Sequence, residues 1–280
     1  MSVGHRPTPP EIETARLLLA PWRWLTAPRF EGLDHVPADR PFLLAGNHTL
    51  MGVLDAPLMV LGLYERRGIY VRALGDHLHF RVPGWRDLLE RFGVVEGTPE
   101  SVHALMADRE PILVFPGGAR EVFKRKGEQY RLLWGNRTGF ARLAIAHGYP
   151  IVPFAAVGAE DAFDILLDAD ELLASPLGPL IRQLAPRADT VVPVVRGLGP
   201  TMLPRPERFY FRFSEPVETT PFTDRADDPA ACLEVREQVR LAIEAGIETL
   251  LLERERDPDR ALLPRMIDGL GRRRRRRPAE

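Results

Sequence analysis

From residue 41 to residue 157 the chain repeats one rhythm: a short apolar run, a turn, then a stretch with helical periodicity. Phe42–Ala45, Ile69–Leu74, Gly93–Val95, Ile112–Phe115 and Ile151–Val157 read as strands. Val53–Tyr64, Trp85–Arg91, Glu100–Asp108 and Arg137–His147 read as the helices between them. The last carries Phe140, Leu143 and Ala144 on one face. Strands that are apolar throughout need cover on both faces, and strands separated by helices pair in parallel. The expectation is an α/β fold with a mostly parallel central sheet flanked by helices.

The second half is less regular. Asp164–Leu184 is apolar and reads as helical, a lid or an acceptor-side insertion. Val191–Val195 and Phe209–Phe213 read as late strands. In the second of these, Phe209, Phe211 and Phe213 alternate with Tyr210 and Arg212, the pattern of a half-exposed edge strand. Pro229–Arg256 has the pattern of one long amphipathic helix. Ahead of the sheet, residues 12–30 gather leucines and tryptophans broken by Pro21 and Pro28. That segment fits either a packed helix or an interfacial one, and the two prolines are expected to cut the helix short.

Composition narrows the class. The 280 residues, 45% hydrophobic and 28% charged, suit a globular chain with a full core. The single cysteine, Cys232, rules out an internal disulfide and suits a reducing compartment. Residues 1–16 lack the pattern of a secretory signal. The longest apolar stretch, residues 41–64, contains His48 and Asp55 and reads as core rather than as a bilayer span. The net charge of −1 hides two basic clusters, Lys124-Arg125-Lys126 and Arg272–Arg277. The second reads as a solvated tail with an affinity for anionic lipid. No stacking or groove-reading element supports nucleic-acid binding.

Two strand ends carry the chemistry. Phe115-Pro116-Gly117-Gly118 turns the chain where ligands sit in open α/β sheets, and paired glycines let backbone N–H groups approach a ligand closely. Gly46-Asn47-His48 closes an earlier strand with an imidazole that a carboxylate could orient as a general base. Asp55 is the first candidate partner and Glu121 the second. Seven positions along a straight helix would separate His48 and Asp55 by about 10 Å. Contact therefore needs a tight turn at Met51-Gly52. His77 and His79 have no companion ligands, so no metal is expected. A serine elbow and a phosphate-loop lysine motif are both missing from the sequence.

Gly46-Asn47-His48 with Asp55, then Asp76, Phe80, Pro83, Gly84 and Arg91-Phe92-Gly93, then Phe115-Pro116-Gly117-Gly118-Ala119-Arg120-Glu121, fall in a characteristic order. Trp134–Phe140 and Pro150–Pro153 follow. Together they resemble the lysophospholipid acyltransferase superfamily, in its branch related to monoacylglycerol and diacylglycerol acyltransferases.

That resemblance implies a glycerolipid acyltransferase-like fold, an acyltransferase domain over residues 38–258, a leader and amphipathic segment over 1–37 and a basic tail over 259–280. It implies His48 as base and Asp55 as its orienting acid, acting on an acyl-CoA or acyl-carrier-protein thioester and a lipid hydroxyl, with no further cofactor. Asn47, Arg91, Phe115, Pro116, Gly117, Gly118, Arg120 and Glu121 are the expected substrate-binding residues. Backbone amides near Gly117 and Gly118 are candidates to receive an oxyanion.

Two departures stand out: six residues separate His48 from Asp55 instead of four, and Gly117 replaces the glutamate usual in phosphate-accepting relatives. The second points to a neutral lipid alcohol as acceptor, with a lysophospholipid still open. Thioester hydrolysis and non-catalytic acyl-lipid binding are the competing functions, and a cytoplasmic protein held peripherally on an anionic membrane is the expected setting.

Overall fold

The computed structural model describes residues 4–185 and 188–266. In chain order the strands are β1 (Arg29–Glu31), β2 (Leu43–Gly46), β3 (Arg72–Gly75), β4 (Val95–Glu96), β5 (Ile112–Val114), β6 (Ile151–Val157), β7 (Asp164–Leu167), β8 (Val194–Arg196) and β9 (Tyr210–Phe213). The helices are α1 (Pro9–Thr26), α2 (Ala56–Arg67), α3 (Trp85–Arg91), α4 (Pro99–Ala107), α5 (Ala119–Val122), α6 (Gly139–His147), α7 (Ala169–Ala174), α8 (Gly178–Leu184) and α9 (Pro229–Arg256). The arginine run at 272–277 lies outside the described residues.

Seven strands form the central sheet in the order β1-β9-β6-β2-β5-β3-β4, and β7 and β8 form a separate antiparallel pair. β2 is at the centre, parallel to β5 on one side and β6 on the other, with Leu44 opposite both Leu113 and Val152. Both faces of the sheet are covered. Leu43 and Ala45 of β2 join the cluster built with α4, α6 and α9. Phe42 and Leu44 join the one built with α1 and α2. This two-sided burial is why β6 is apolar along its whole length. A parallel sheet also gathers strand ends: β2, β5 and β6 all finish on one rim.

Three local expectations change. Phe209–Phe213 is not an edge, because the short strand β1 adds to its outer side in parallel while β6 pairs with it antiparallel. Phe209, Phe211 and Phe213 are buried in the cluster on one face of the sheet and Tyr210 in the cluster on the other. Pro21 lies inside α1 without ending it; the helix stops at Ala27, in the left-handed conformation, just before Pro28. The helix starts firmly, with Pro9 in its first turn and a capping box between Thr8 and Glu11. Asp164–Leu184 is a strand and two short helices rather than one helical segment.

Candidate active site

Asn47, the first residue past β2, is fully buried. Its Nδ2 donates to the Ala156 carbonyl at 2.9 Å and its Oδ1 accepts from the Ala156 N–H at 2.8 Å. The expected substrate contact is therefore replaced by a brace that locks the end of β2 onto β6. His48 follows on the rim.

The His48 ring stacks on Phe115, with centroids 3.9 Å apart and planes at 12°. Because β2 and β5 are neighbours in register, the residue after β5 lands against the imidazole. The two motifs noted in the sequence therefore share one place. His48 Nδ1 is sealed from solvent and has no hydrogen-bond partner. Burial first, then the positive charges of Lys124 and His79, push the His48 imidazole down to about 3. It is neutral at physiological pH.

The chain does turn tightly after His48. Met51 and Gly52 both take left-handed backbone, at φ 65° and 63°, and the Gly52 N–H donates to the Thr49 carbonyl at 3.0 Å. A Cβ at Gly52 would meet His48 Cε1 at 2.7 Å, so glycine lets this turn close over the ring edge. The turn does not join Asp55 to the imidazole. Asp55 Oδ1 accepts from Thr49 Oγ1 and from the Ala56 N–H, each at 2.9 Å, and so caps α2. Burial raises its carboxyl, opposed chiefly by the Thr49 hydroxyl. Thr49, the residue next to His48, is the link between the two.

Glu121 ties the two motifs together. It is fully buried. Its Oε2 accepts the backbone N–H of His48, and its Oε1 that of Leu133, each at 2.8 Å. Burial raises its carboxyl, against the opposing pull of Lys124. A Cβ at Gly117 would lie 2.1 Å from Glu121 Cδ. Gly117 is therefore glycine because the Glu121 carboxylate occupies its side-chain space. Arg120, the neighbour of Glu121, turns away from it and pairs with Glu128.

Within the basic cluster at 124–126, Lys124 is not solvated. Lys124 is buried and paired with buried Glu160, whose other oxygen accepts the Tyr130 N–H at 2.6 Å. Lys124 also influences His48, Asp55 and Glu121, which makes it the central cation of the site, a role that its place in a run of basic residues does not reveal. Arg125 pairs with Asp170 at 2.9 Å and Lys126 with Glu171 at 2.6 Å.

The glycine turn itself is braced. The Gly118 N–H donates to the Phe115 carbonyl at 3.0 Å, so that amide is already spent within the turn. The Arg137 guanidinium donates to the carbonyls of Pro116 and Gly117. Arg91 lies apart from this cluster, exposed at the end of α3 and 3.4 Å from Glu11 on α1. Trp22 of α1 supports the loop by donating its indole N–H to the Leu54 carbonyl at 2.9 Å. Among the described residues no group of three or more His, Cys, Asp or Glu side chains could hold a metal ion.

Residues 27–157 match the acyltransferase family. Phytyl ester synthase 2, chloroplastic, of Arabidopsis thaliana is 33% identical over 256 residues, covering 84% of this chain and 36% of its own length. The chain thus spans little more than a third of that relative. The human DGAT1/2-independent enzyme synthesizing storage lipids is 29% identical over 132 residues, covering 47% of this chain and 40% of its own. A crystal structure of the 1-acyl-sn-glycerophosphate acyltransferase of Thermotoga maritima aligns with TM-score 0.49 and 17% identity, over 84% of this chain and 78% of that one. By its ordered motifs and the family match over residues 27–157, the chain belongs to the acyltransferase family.

Proposed function

We propose that the chain transfers a fatty acyl group from a thioester, acyl-CoA or an acyl-carrier protein, to the hydroxyl of an uncharged lipid alcohol. The observation that carries this is the His48–Phe115 stack, which sets a neutral imidazole against the glycine turn. His48 takes the hydroxyl proton as the acceptor oxygen attacks the thioester carbonyl. Collapse of the tetrahedral intermediate breaks the carbon–sulfur bond, and the imidazolium returns its proton to the leaving thiolate. An imidazole held near 3 is a weak base until its cationic form gains support. Asp55, bonded to Thr49 and not to the imidazole itself, is the orienting acid in this scheme and acts by holding the loop beside His48.

The basic groups around the glycine turn favour a neutral acceptor. Arg120, Lys124, Arg125 and Lys126 each already pair with a carboxylate, and Arg137 is spent on turn carbonyls. A phosphate headgroup would have to compete for them. Relatives named for phytyl esters and storage lipids agree with an alcohol acceptor. Among the described residues no helix is long and apolar enough to cross a membrane. The lipid acceptor is reached by peripheral attachment. Incubation with labelled palmitoyl-CoA and a panel of lipid alcohols, read by mass analysis, tests the reaction. An acylated alcohol is expected, and release of free acid alone would replace transfer by hydrolysis.

A further inference from the structure

We infer that the segment from β7 to the start of β9 is a lipid-docking face that seats the molecule on a phospholipid leaflet with the His48 rim against it. The inference rests on the acyl-transfer reading for its lipid substrate. Three independent features support it.

The first is exposure. Among the described residues, ten of the 22 exposed large apolar side chains fall between residues 166 and 203. Leu177, which caps the start of α8, and Leu180 and Leu184 within it recur at helical spacing and are 62%, 54% and 77% exposed. Leu198, Met202 and Leu203, in the loop after β8, are 55–63% exposed. An unpartnered stripe of this kind marks an interaction surface.

The second is position. The segment leaves the carboxyl end of β6, the rim where β2 delivers His48. Phe163 and Val195 pack on Leu50, with Met51, Leu54 and Ile165 against them, so the face is built directly on the loop after His48. Residues 188–190 lie beside α5, the helix that follows the glycine turn.

The third is charge. Asp164 is paired with Arg196 and Arg205, Asp170 with Arg125, and Glu171 with Lys126. Arg182 of α8 is exposed and bonds only a backbone carbonyl, that of Leu173 at 3.2 Å, among its described contacts. Neutralised carboxylates beside an exposed guanidinium complement lipid phosphates, whereas an acidic rim would repel them.

The test is co-sedimentation of the full chain with phosphatidylcholine vesicles. The triple variant Leu177→Glu/Leu180→Glu/Leu184→Glu should partition at least about tenfold less than wild type. Its thermal unfolding should be unchanged, because the three positions are exposed. The α1 variant Leu17→Glu/Leu18→Glu should lose less. Equal vesicle binding by wild type and the α8 variant overturns the inference. So does wild-type self-association that the α8 substitutions abolish, which would assign the face to a second copy. If the triple variant unfolds early, Leu180→Gln alone and Leu203→Gln alone replace it, and unchanged binding by both is equally fatal. Wild-type acyl transfer to a dispersed short-chain alcohol is measured separately, so failure of the chemistry is distinguished from failure of docking.

Discussion

The rim around His48 and the segment 164–203 depart from ordinary burial in opposite directions. At the rim, Asn47, Thr49, Asp55, Glu121, Lys124 and Glu160 are buried polar groups. In the segment, leucines and valines stand in solvent. Buried polar and exposed apolar surface are the two informative exceptions to inside-out sorting. Each buried polar group at the rim is matched: Asn47 by Ala156, Asp55 by Thr49, Glu121 by two backbone N–H groups, Lys124 by Glu160. His48 Nδ1 is unmatched there, as is Nη1 of the neighbouring Arg120. A rim so cross-braced holds its geometry before substrate arrives, while the apolar segment lacks a partner. Preorganisation and recruitment are thus divided between neighbouring parts of one sheet edge.

The sharpest way to break that division is His48→Ala. Loss of a general base should cut acyl transfer by about 10²–10⁴-fold without unfolding the protein. Retained turnover in a folded variant would remove His48 from the chemistry.

Lys124→Met should be the most destabilising substitution at the rim. It strands the buried Glu160 carboxylate, at a cost of about 3–5 kcal/mol by chemical denaturation. A change below about 1 kcal/mol would show that the pair is dispensable. Glu121→Ala leaves the His48 and Leu133 N–H groups unsatisfied, about 1–3 kcal/mol for each buried donor. It should also free the space at Gly117, so Gly117→Ala should be tolerated better in the Glu121→Ala background than in wild type. Equal cost in both backgrounds would contradict the space-filling role of Glu121.

A smaller effect concerns pH. The His48 imidazole is lower in the folded protein, about 3, than its ordinary 6.5. Between those values the unfolded chain binds more protons, so His48 contributes stability above pH 6.5 that is lost as pH falls toward 3. Asp55, Glu121 and Glu160 are raised by burial and act with the opposite sign, losing stability as pH rises through the carboxylate range. Comparing melting temperature against pH for wild type and His48→Gln isolates the imidazole. The variant should show the shallower acid-side fall, and parallel curves would mean that the ring is not held neutral by burial. Least of all should Arg91→Ala matter, with kcat/KM within about twofold of wild type, since Arg91 pairs with Glu11 away from the rim.

Much of the fold was legible in the sequence because it is written in local period. The strand at Ile151–Val157 and the helices at Trp85–Arg91 and Pro229–Arg256 match their sequence limits. An uninterrupted apolar run and a 3.6-residue stripe each demand one kind of element. Phe209–Phe213 misled for a related reason. Alternation of phenylalanine with Tyr210 and Arg212 suggests one wet face at an edge, but Tyr210 packs into the cluster with α9 and β1 pairs along the outer side, and both depend on residues far away in the chain. Pro21 misled because a single lost hydrogen bond does not end a helix anchored at Ile12 and Trp22.

The site divides along the same line. Spacing and residue type by themselves determined a parallel sheet, a histidine at one strand end, a glycine turn at another and their common rim. Tertiary structure alone decided which polar groups face each other. Lys124 looks like a surface lysine until Glu160, 36 residues later, meets it in the interior. Gly117 looks like a ligand-approach glycine until Glu121 folds back into its side-chain space. Periodicity is set by neighbours along the chain, so it can be read from the sequence. The burial of a charge is set by whichever distant group compensates it, and only the folded chain brings the two together.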